Sequence, residues 1–78
     1  MAGTIIDPKL VFSTALKACA SSIILVHSHP SGNTQPSEED KNITKKLIQA
    51  GKFLDLYIND HLIITKDEYL SFFDEKFM

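Results

Sequence analysis

His27 and His29 stand two residues apart in the stretch HSHPSGNTQPSEED, with Ser37 and Asp40 following after a loop. On extended backbone, residues i and i+2 point to the same side, so both imidazoles can address one point. Asp40 falls in the first turn of the helix expected to follow. If that helix packs back beside the strand end, its carboxylate reaches the same point. Two nitrogens and one carboxylate oxygen, at about 2.0–2.2 Å, form a zinc ligand set that leaves the fourth tetrahedral position for water. Zinc held there lowers the pKa of its water to about 7 and polarises a substrate carbonyl. Ser37 is then placed to donate a hydrogen bond to the oxyanion formed on attack. A plainer reading makes Ser37 a helix N-cap and Asp40 its reciprocal partner or a favourable charge at a helix start. That reading explains Ser37 and Asp40 but leaves both histidines without a reason.

The elements that must position these groups can be read from pattern. Asp7-Pro8 reads as an N-cap followed by proline at the first helical position. Val11, Ala15 and Cys19 recur at steps of four, with Phe12 and Leu16 beside them, so the spacing predicts an amphipathic helix from Pro8 to Ala20. Cys19 is read as a small apolar residue on that helix's face. Ser22 to Val26 is apolar after its first residue and β-branched, which fits a central strand covered on both faces. His27 to Pro36 is a loop, with Pro30, Gly32 and Pro36 bringing strand end and helix start together.

Ser37 to Asp40 resembles a capping box, and the helix should run to about Ala50 with Gly51 as its stop. Ile43, Leu47 and Ala50 make the expected inner stripe, with Lys41, Lys45 and Lys46 toward water. The alternation of Leu54, Leu56 and Ile58 predicts a half-buried strand. His61 to Thr65 is a further strand, or the same one continued past a bend at Asn59-Asp60. Tyr69 to Phe73 is a third candidate strand or a short helix. The order helix, strand, helix, strands indicates an α/β sandwich.

Seventy-eight residues make one domain or a piece of one, and domains of this size bury only about 60% of their unfolded surface. At 44% hydrophobic and 23% charged the chain reads as globular. Its single cysteine allows no internal disulfide. The longest apolar run, Ile23 to Val26, is far too short for a bilayer, and the N-terminus lacks the pattern of a signal peptide, so a cytoplasmic location and no membrane role are expected. Net charge is −2 and all eight basic residues are lysines. Without arginine, the usual fork for phosphates and guanine edges, composition does not support nucleic-acid binding.

The spacing H-x-H-x7-S-x-x-D resembles the signature of JAMM, or MPN-plus, zinc metalloproteases. The fuller wording, HSHPSG, PSEED, IT and DHLII, is similar to the RadC branch of that superfamily, from Gly3-Thr4 and Asp7-Pro8 through His61-Leu62-Ile63-Ile64 to Tyr69 and Ser71. The resemblance implies a three-layer α/β sandwich of the JAMM and cytidine-deaminase-like kind, spanning residues 1–78 as a single domain. It implies His27, His29 and Asp40 as zinc ligands, Ser37 as the oxyanion or water-orienting residue, and hydrolysis of an amide bond in a peptide or isopeptide substrate. The RadC branch also carries a historical DNA-repair label.

The chain departs from the pattern in three respects. The family's mechanism uses a glutamate upstream of the histidine pair as general base, and no glutamate precedes His27; Asp7 is the only upstream carboxylate. Glu38 and Glu39 are poor substitutes, Glu39 pointing about 100° away from Asp40 around the helix. RadC-like domains also have strands before Gly3-Thr4, so the chain is expected to be the C-terminal portion of a domain whose N-terminal strands are missing. The third departure is Ser28, where the family often has asparagine.

Asp60-His61 recurs in the RadC-like pattern. Either Asp60 orients a ligand histidine through its ring N–H, or the pair sits at a strand end with ordinary hydrogen bonds, which is the preferred reading. Two other functions compete with hydrolysis. A non-catalytic MPN-type scaffold or interaction module would bind no zinc. A nucleobase deaminase would need H-x-E and P-C-x-x-C, but His29 occupies the glutamate position and no second cysteine exists. Uncovered sheet edges predict self-association as a homodimer.

Overall fold

The computed structural model describes residues 7–78; the Gly3-Thr4 part of the resemblance lies outside the described residues. Helix α1 (Pro8–Lys17) leads to strand β1 (Ser22–Ser28), helix α2 (Glu38–Phe53), strand β2 (Tyr57–Ile64) and strand β3 (Tyr69–Ser71). The sheet runs in the order β1-β2-β3, with β1 and β2 parallel and β2 and β3 antiparallel. Helix α2 is the crossover that a parallel pair requires. The described residues form a small α/β unit of two helices and a three-stranded mixed sheet.

Local chemistry sets the helix ends. The Asp7 carboxylate accepts from the Lys9 N–H at 2.9 Å, and Pro8 follows with no N–H to satisfy. Helix α1 stops at Lys17, three residues before the expected Ala20. Cys19 adopts φ +53 there, its N–H bonded to the Leu16 carbonyl while Ala20 N–H reaches Ala15. This is a Schellman end with cysteine at the left-handed position that glycine usually takes. Cys19 is therefore exposed beyond the helix instead of lying on its face.

Helix α2 runs past Gly51 to Phe53, and the turn occurs at Asp55, φ +54. Gly51 serves a different purpose from the expected stop. It is buried inside the helix, and a Cβ there would overlap the Leu56 carbonyl oxygen, whose chain folds back over it. The Leu56 N–H donates to the Gly51 carbonyl at 2.9 Å. Gly51→Ala is expected to destabilise the chain by about 1–3 kcal/mol, the usual range for overpacking. A urea midpoint unchanged from wild type would contradict this account.

Phe12 and Ala15 of α1, Leu47 of α2, Leu25 of β1, Leu56 just before β2 and Ile58 within it share one core. Ile63, Leu70 and Phe72 make a second. On α2 the buried stripe is Thr44, Leu47 and Gly51, one step round from the expected Ile43, Leu47 and Ala50. Lys45 and Lys46 face water as expected, whereas Lys41 is half-buried with its ammonium 4.5 Å from the Phe77 ring centre. Leu54 caps α2 and is 43% exposed, so the expected strand starts only at Tyr57.

The bend expected at Asn59-Asp60 is a bulge. Ile23 pairs with Ile58, but Ile24 pairs with Asp60, and β2 continues without a break to Ile64. One extra residue shifts the alternation, so Ile58, His61 and Ile63 are all buried. The bulge turns His61 inward.

Strand β1 alternates too: Leu25 and His27 are buried, but Ile24 is 59% exposed and Val26 56%. The expectation of a central strand covered on both faces is therefore not met by the described residues. Among the described residues β1 pairs only with β2, and β2 is the middle strand. Strand β3 ends at Ser71, short of Phe73. No helix among the described residues is long and apolar enough to cross a membrane.

Candidate metal centre

Parallel pairing with β2 carries β1 two residues further than expected, to Ser28. The His29 N–H continues it by donating to the Ile64 carbonyl at 3.0 Å. The backbone is thus still extended at both histidines, and their rings emerge on one side, centres 4.6 Å apart. The chain then turns sharply. Gly32 N–H donates to the His29 carbonyl at 3.2 Å, with Pro30 and Ser31 between them and Gly32 at φ +84. Asn33 N–H donates to Ser31 Oγ at 3.3 Å, and Gln35 N–H to Asn33 Oδ1 at 3.0 Å. Short polar side chains hold the loop by bonding to its own backbone.

The loop delivers the start of α2 beside the strand end. Ser37 Oγ accepts from the Asp40 N–H at 3.0 Å, and Asp40 Oδ2 accepts from the Ser37 N–H at 2.9 Å. This reciprocal capping box fixes the Asp40 carboxylate where the imidazoles point. His27 Nε2 lies 3.6 Å from Asp40 Oδ1, and His29 Nε2 lies 3.4 Å from Asp40 Oδ2. One donor atom from each of the three residues falls within 4.8 Å of the others.

Those separations suit a shared ion better than direct bonds. Charge-assisted N–H···O contacts are normally about 2.7–2.9 Å. Ligand atoms at about 2.1 Å on two corners of a tetrahedron are about 3.4 Å apart. The residues present therefore fit zinc in donor type, number and spacing.

The electrostatics favour the ligating forms. Burial lowers the pKa of His27 below the ordinary imidazole value; the Asp40 carboxylate opposes that and His29 adds to it. For Asp40, burial alone would raise the pKa, but hydrogen bonding to Ser37 and the two imidazoles carry it below the usual carboxylate range. Burial thus favours the neutral His27 ring, and its surroundings favour the ionised Asp40 carboxylate, the forms metal binding requires. The other ring nitrogen of each histidine is also engaged. His29 Nδ1 is 2.8 Å from the Asn33 carbonyl, so it donates there and leaves Nε2 bare toward Asp40. His27 Nδ1 is 2.9 Å from Nε2 of His61.

Sequence pattern missed this last residue's contact and its continuation. His61 is fully buried, stacked on Phe72 with ring centres 4.3 Å apart, and its Nδ1 lies 2.7 Å from Thr44 Oγ1. The Thr44 hydroxyl in turn donates to the Asp40 carbonyl at 2.8 Å. Burial and the nearby His27 push the His61 pKa down to about 4. Asp60 does not orient a ligand ring. Its carboxylate accepts from the His61 N–H at 2.7 Å, the Phe73 N–H at 3.0 Å and the Ser71 hydroxyl at 2.6 Å. Burial would raise the Asp60 pKa, but those bonds hold it below the ordinary carboxylate value. The ordinary reading thus fits Asp60 but not His61. A break in strand alternation at Asn59-Asp60 was the available signal that His61 faces inward.

Comparison with known proteins places these residues in a family context. Residues 1–77 match the family described as RadC-like JAB domain. A UPF0758 protein of Flavobacterium johnsoniae is 55% identical over 75 residues, 96% of this chain and 33% of its own length. One from Thermotoga maritima is 47% identical over 72 residues, covering 92% of this chain and 32% of the relative. One from Methanosarcina mazei is 45% identical over 75 residues, 96% and 33% respectively. The chain spans about a third of the length of these curated relatives.

Proposed function

The chain belongs to the RadC-like JAB domain family, and from that premise we propose that it carries the metal-binding half of a zinc-dependent hydrolase acting on a peptide or isopeptide bond. The observation that carries the reading is the convergence of one ligand atom each from His27, His29 and Asp40 within 4.8 Å of one another. His27, His29 and Asp40 hold the ion, which supplies Lewis acidity toward water and toward an amide carbonyl. Ser37 Oγ already accepts from the Asp40 N–H, so its own proton is left to donate to an oxyanion. The cap and oxyanion readings of Ser37 are therefore compatible.

The general base belongs to the whole protein in this reading, since no glutamate precedes His27 in this sequence. The exposure of Ile24 and Val26, on the face of β1 opposite buried Leu25 and His27, supports a three-layer sandwich and a dimer in the whole protein. A cytoplasmic location completes the proposal. A nucleic-acid role is not part of it, because the chain is acidic overall and has no arginine.

Equilibrium dialysis of the metal-free chain against zinc is expected to give one ion per chain. The whole protein, zinc-loaded, is expected to cleave an amide in a peptide or isopeptide panel, with cleavage lost on chelation. No bound zinc would favour a non-catalytic MPN-type scaffold instead. Ser37→Ala is expected to lower the cleavage rate about 10²–10³-fold, as removal of an oxyanion donor does elsewhere. Zinc stoichiometry should stay intact in that variant, and an unaltered rate would remove Ser37 from the mechanism.

A further inference from the structure

Asp40 touches the site twice, through its carboxylate and, indirectly, through its main chain. The main-chain route runs through three contacts: Thr44 Oγ1 to the Asp40 carbonyl at 2.8 Å, His61 Nδ1 to Thr44 Oγ1 at 2.7 Å, and His27 Nδ1 to His61 Nε2 at 2.9 Å. Each contact needs one hydrogen. A carbonyl oxygen can only accept, so the single Thr44 proton goes to Asp40. Thr44 must then accept from His61, which makes Nδ1–H the His61 tautomer. Neutral His61 has its lone pair on Nε2, so it accepts there from His27 Nδ1–H. That leaves Nε2 of His27 without a proton, facing Asp40. No other assignment of the three protons satisfies all three contacts with neutral rings.

We propose that Thr44 and His61 are positioning residues that act through His27, holding its Nε2 as a lone-pair donor toward the site by a one-way chain of hydrogen bonds anchored on the Asp40 carbonyl. The inference rests on the reading of His27 as a metal ligand. Burial supports the chain as a fixed device: Thr44 is 1% exposed, His61 0% and His27 7%, and no buried side-chain nitrogen or oxygen among the described residues lacks a partner. Phe72, stacked on His61, holds the ring's plane. The anchor also ties the histidine to the same helical turn that presents the carboxylate. Two of the three ligands are thereby set by one turn of α2.

Without the Thr44 hydroxyl the chain has no fixed direction. His61 loses its acceptor at Nδ1 and can take the other tautomer, donating from Nε2 to His27. His27 then carries its proton on Nε2, pointed at the Asp40 carboxylate, and a metal must displace it.

The test is the ring-proton position of each histidine in metal-free, 15N-labelled chain at about pH 8, read from long-range 15N–1H correlations, together with zinc affinity by chelator competition. Wild type and Thr44→Ser are expected to show Nδ1–H at both His27 and His61. The isosteric Thr44→Val is expected to move His27 toward Nε2–H and to bind zinc about 10–100-fold more weakly, as changes behind a ligand histidine do. Nε2–H on His27 in wild type would overturn the proposal, and so would a folded Val variant with unchanged tautomers and affinity. If the Val variant does not fold, the wild-type tautomer still decides. Wild-type chain with the expected tautomers and no zinc affinity would support the relay while removing the metal reading above.

Discussion

Asp40→Asn is expected to weaken zinc binding by about 10²–10³-fold while leaving the fold almost intact. Apparent binding free energies for zinc in small sites run to about 10–16 kcal/mol, so removing one of three protein ligands costs several kcal/mol. An amide is a poor replacement for an anionic oxygen ligand. It is a fair replacement in the capping box, where Oδ1 of asparagine can still accept from the Ser37 N–H as Asp40 Oδ2 does now. Only the favourable charge at the helix start is lost, roughly 0.3–1 kcal/mol. Asp40→Ala removes both functions and is expected to lose about 1 kcal/mol more stability for a similar loss of zinc.

The pair of variants separates the two duties of one side chain. Chelator competition measures the affinity and urea unfolding of metal-free protein measures the stability. Equal zinc affinity in Asp40→Asn and wild type would end the case for Asp40 as a ligand.

Metal-free chain is expected to lose stability steeply between about pH 6.5 and pH 4. His61 is buried neutral, with its pKa pushed down to about 4 from the ordinary 6.5. The unfolded chain therefore takes up a proton as pH falls through 6.5, while the folded chain resists until about 4. Stability contributed by the neutral ring is fully present above 6.5 and is lost progressively down to the folded value. A displacement of that size corresponds to roughly 3 kcal/mol.

His27, also lowered by burial, acts in the same direction. Asp40 and Asp60, both lowered, add stability that disappears only at more acid pH, below the ordinary carboxylate value of 3.8. A domain of this size has only about 3–5 kcal/mol from its core to lose. Urea midpoints at stepped pH values should fall through this window. A midpoint that stays level from pH 7 to pH 4.5 would show that His61 is not held neutral by the fold.

Chain order and residue type decided a good deal by themselves. Asp7-Pro8 could hardly be anything but a helix start, and Ser37 with Asp40 three residues on carries its capping geometry wherever a helix follows, because those bonds are made within four residues. His-x-His on extended backbone likewise aims two rings the same way without help from the rest of the molecule. The cluster of His27, His29 and Asp40 was legible for that reason: each half is local, and only the meeting of the halves is not. The family wording added the expectation that they meet.

Packing across the chain decided the rest. Gly51 looks like a helix stop in sequence, but whether a helix ends there depends on the return of Leu56 over it. Cys19 looks like a core position by periodicity, yet the turn into β1 required a left-handed residue and took cysteine. Strand β1 looks doubly covered by composition, and only pairing reveals it as an edge among the described residues. His61 depends on longer connections still. Its inward side was set by one bulged residue, its partners come from 17 and 34 residues away, and hydrogen-bond direction among three side chains has no trace in spacing. Short-range geometry is written in neighbouring residues; which nitrogen of a buried ring carries the proton is settled by atoms that meet only once the chain has folded.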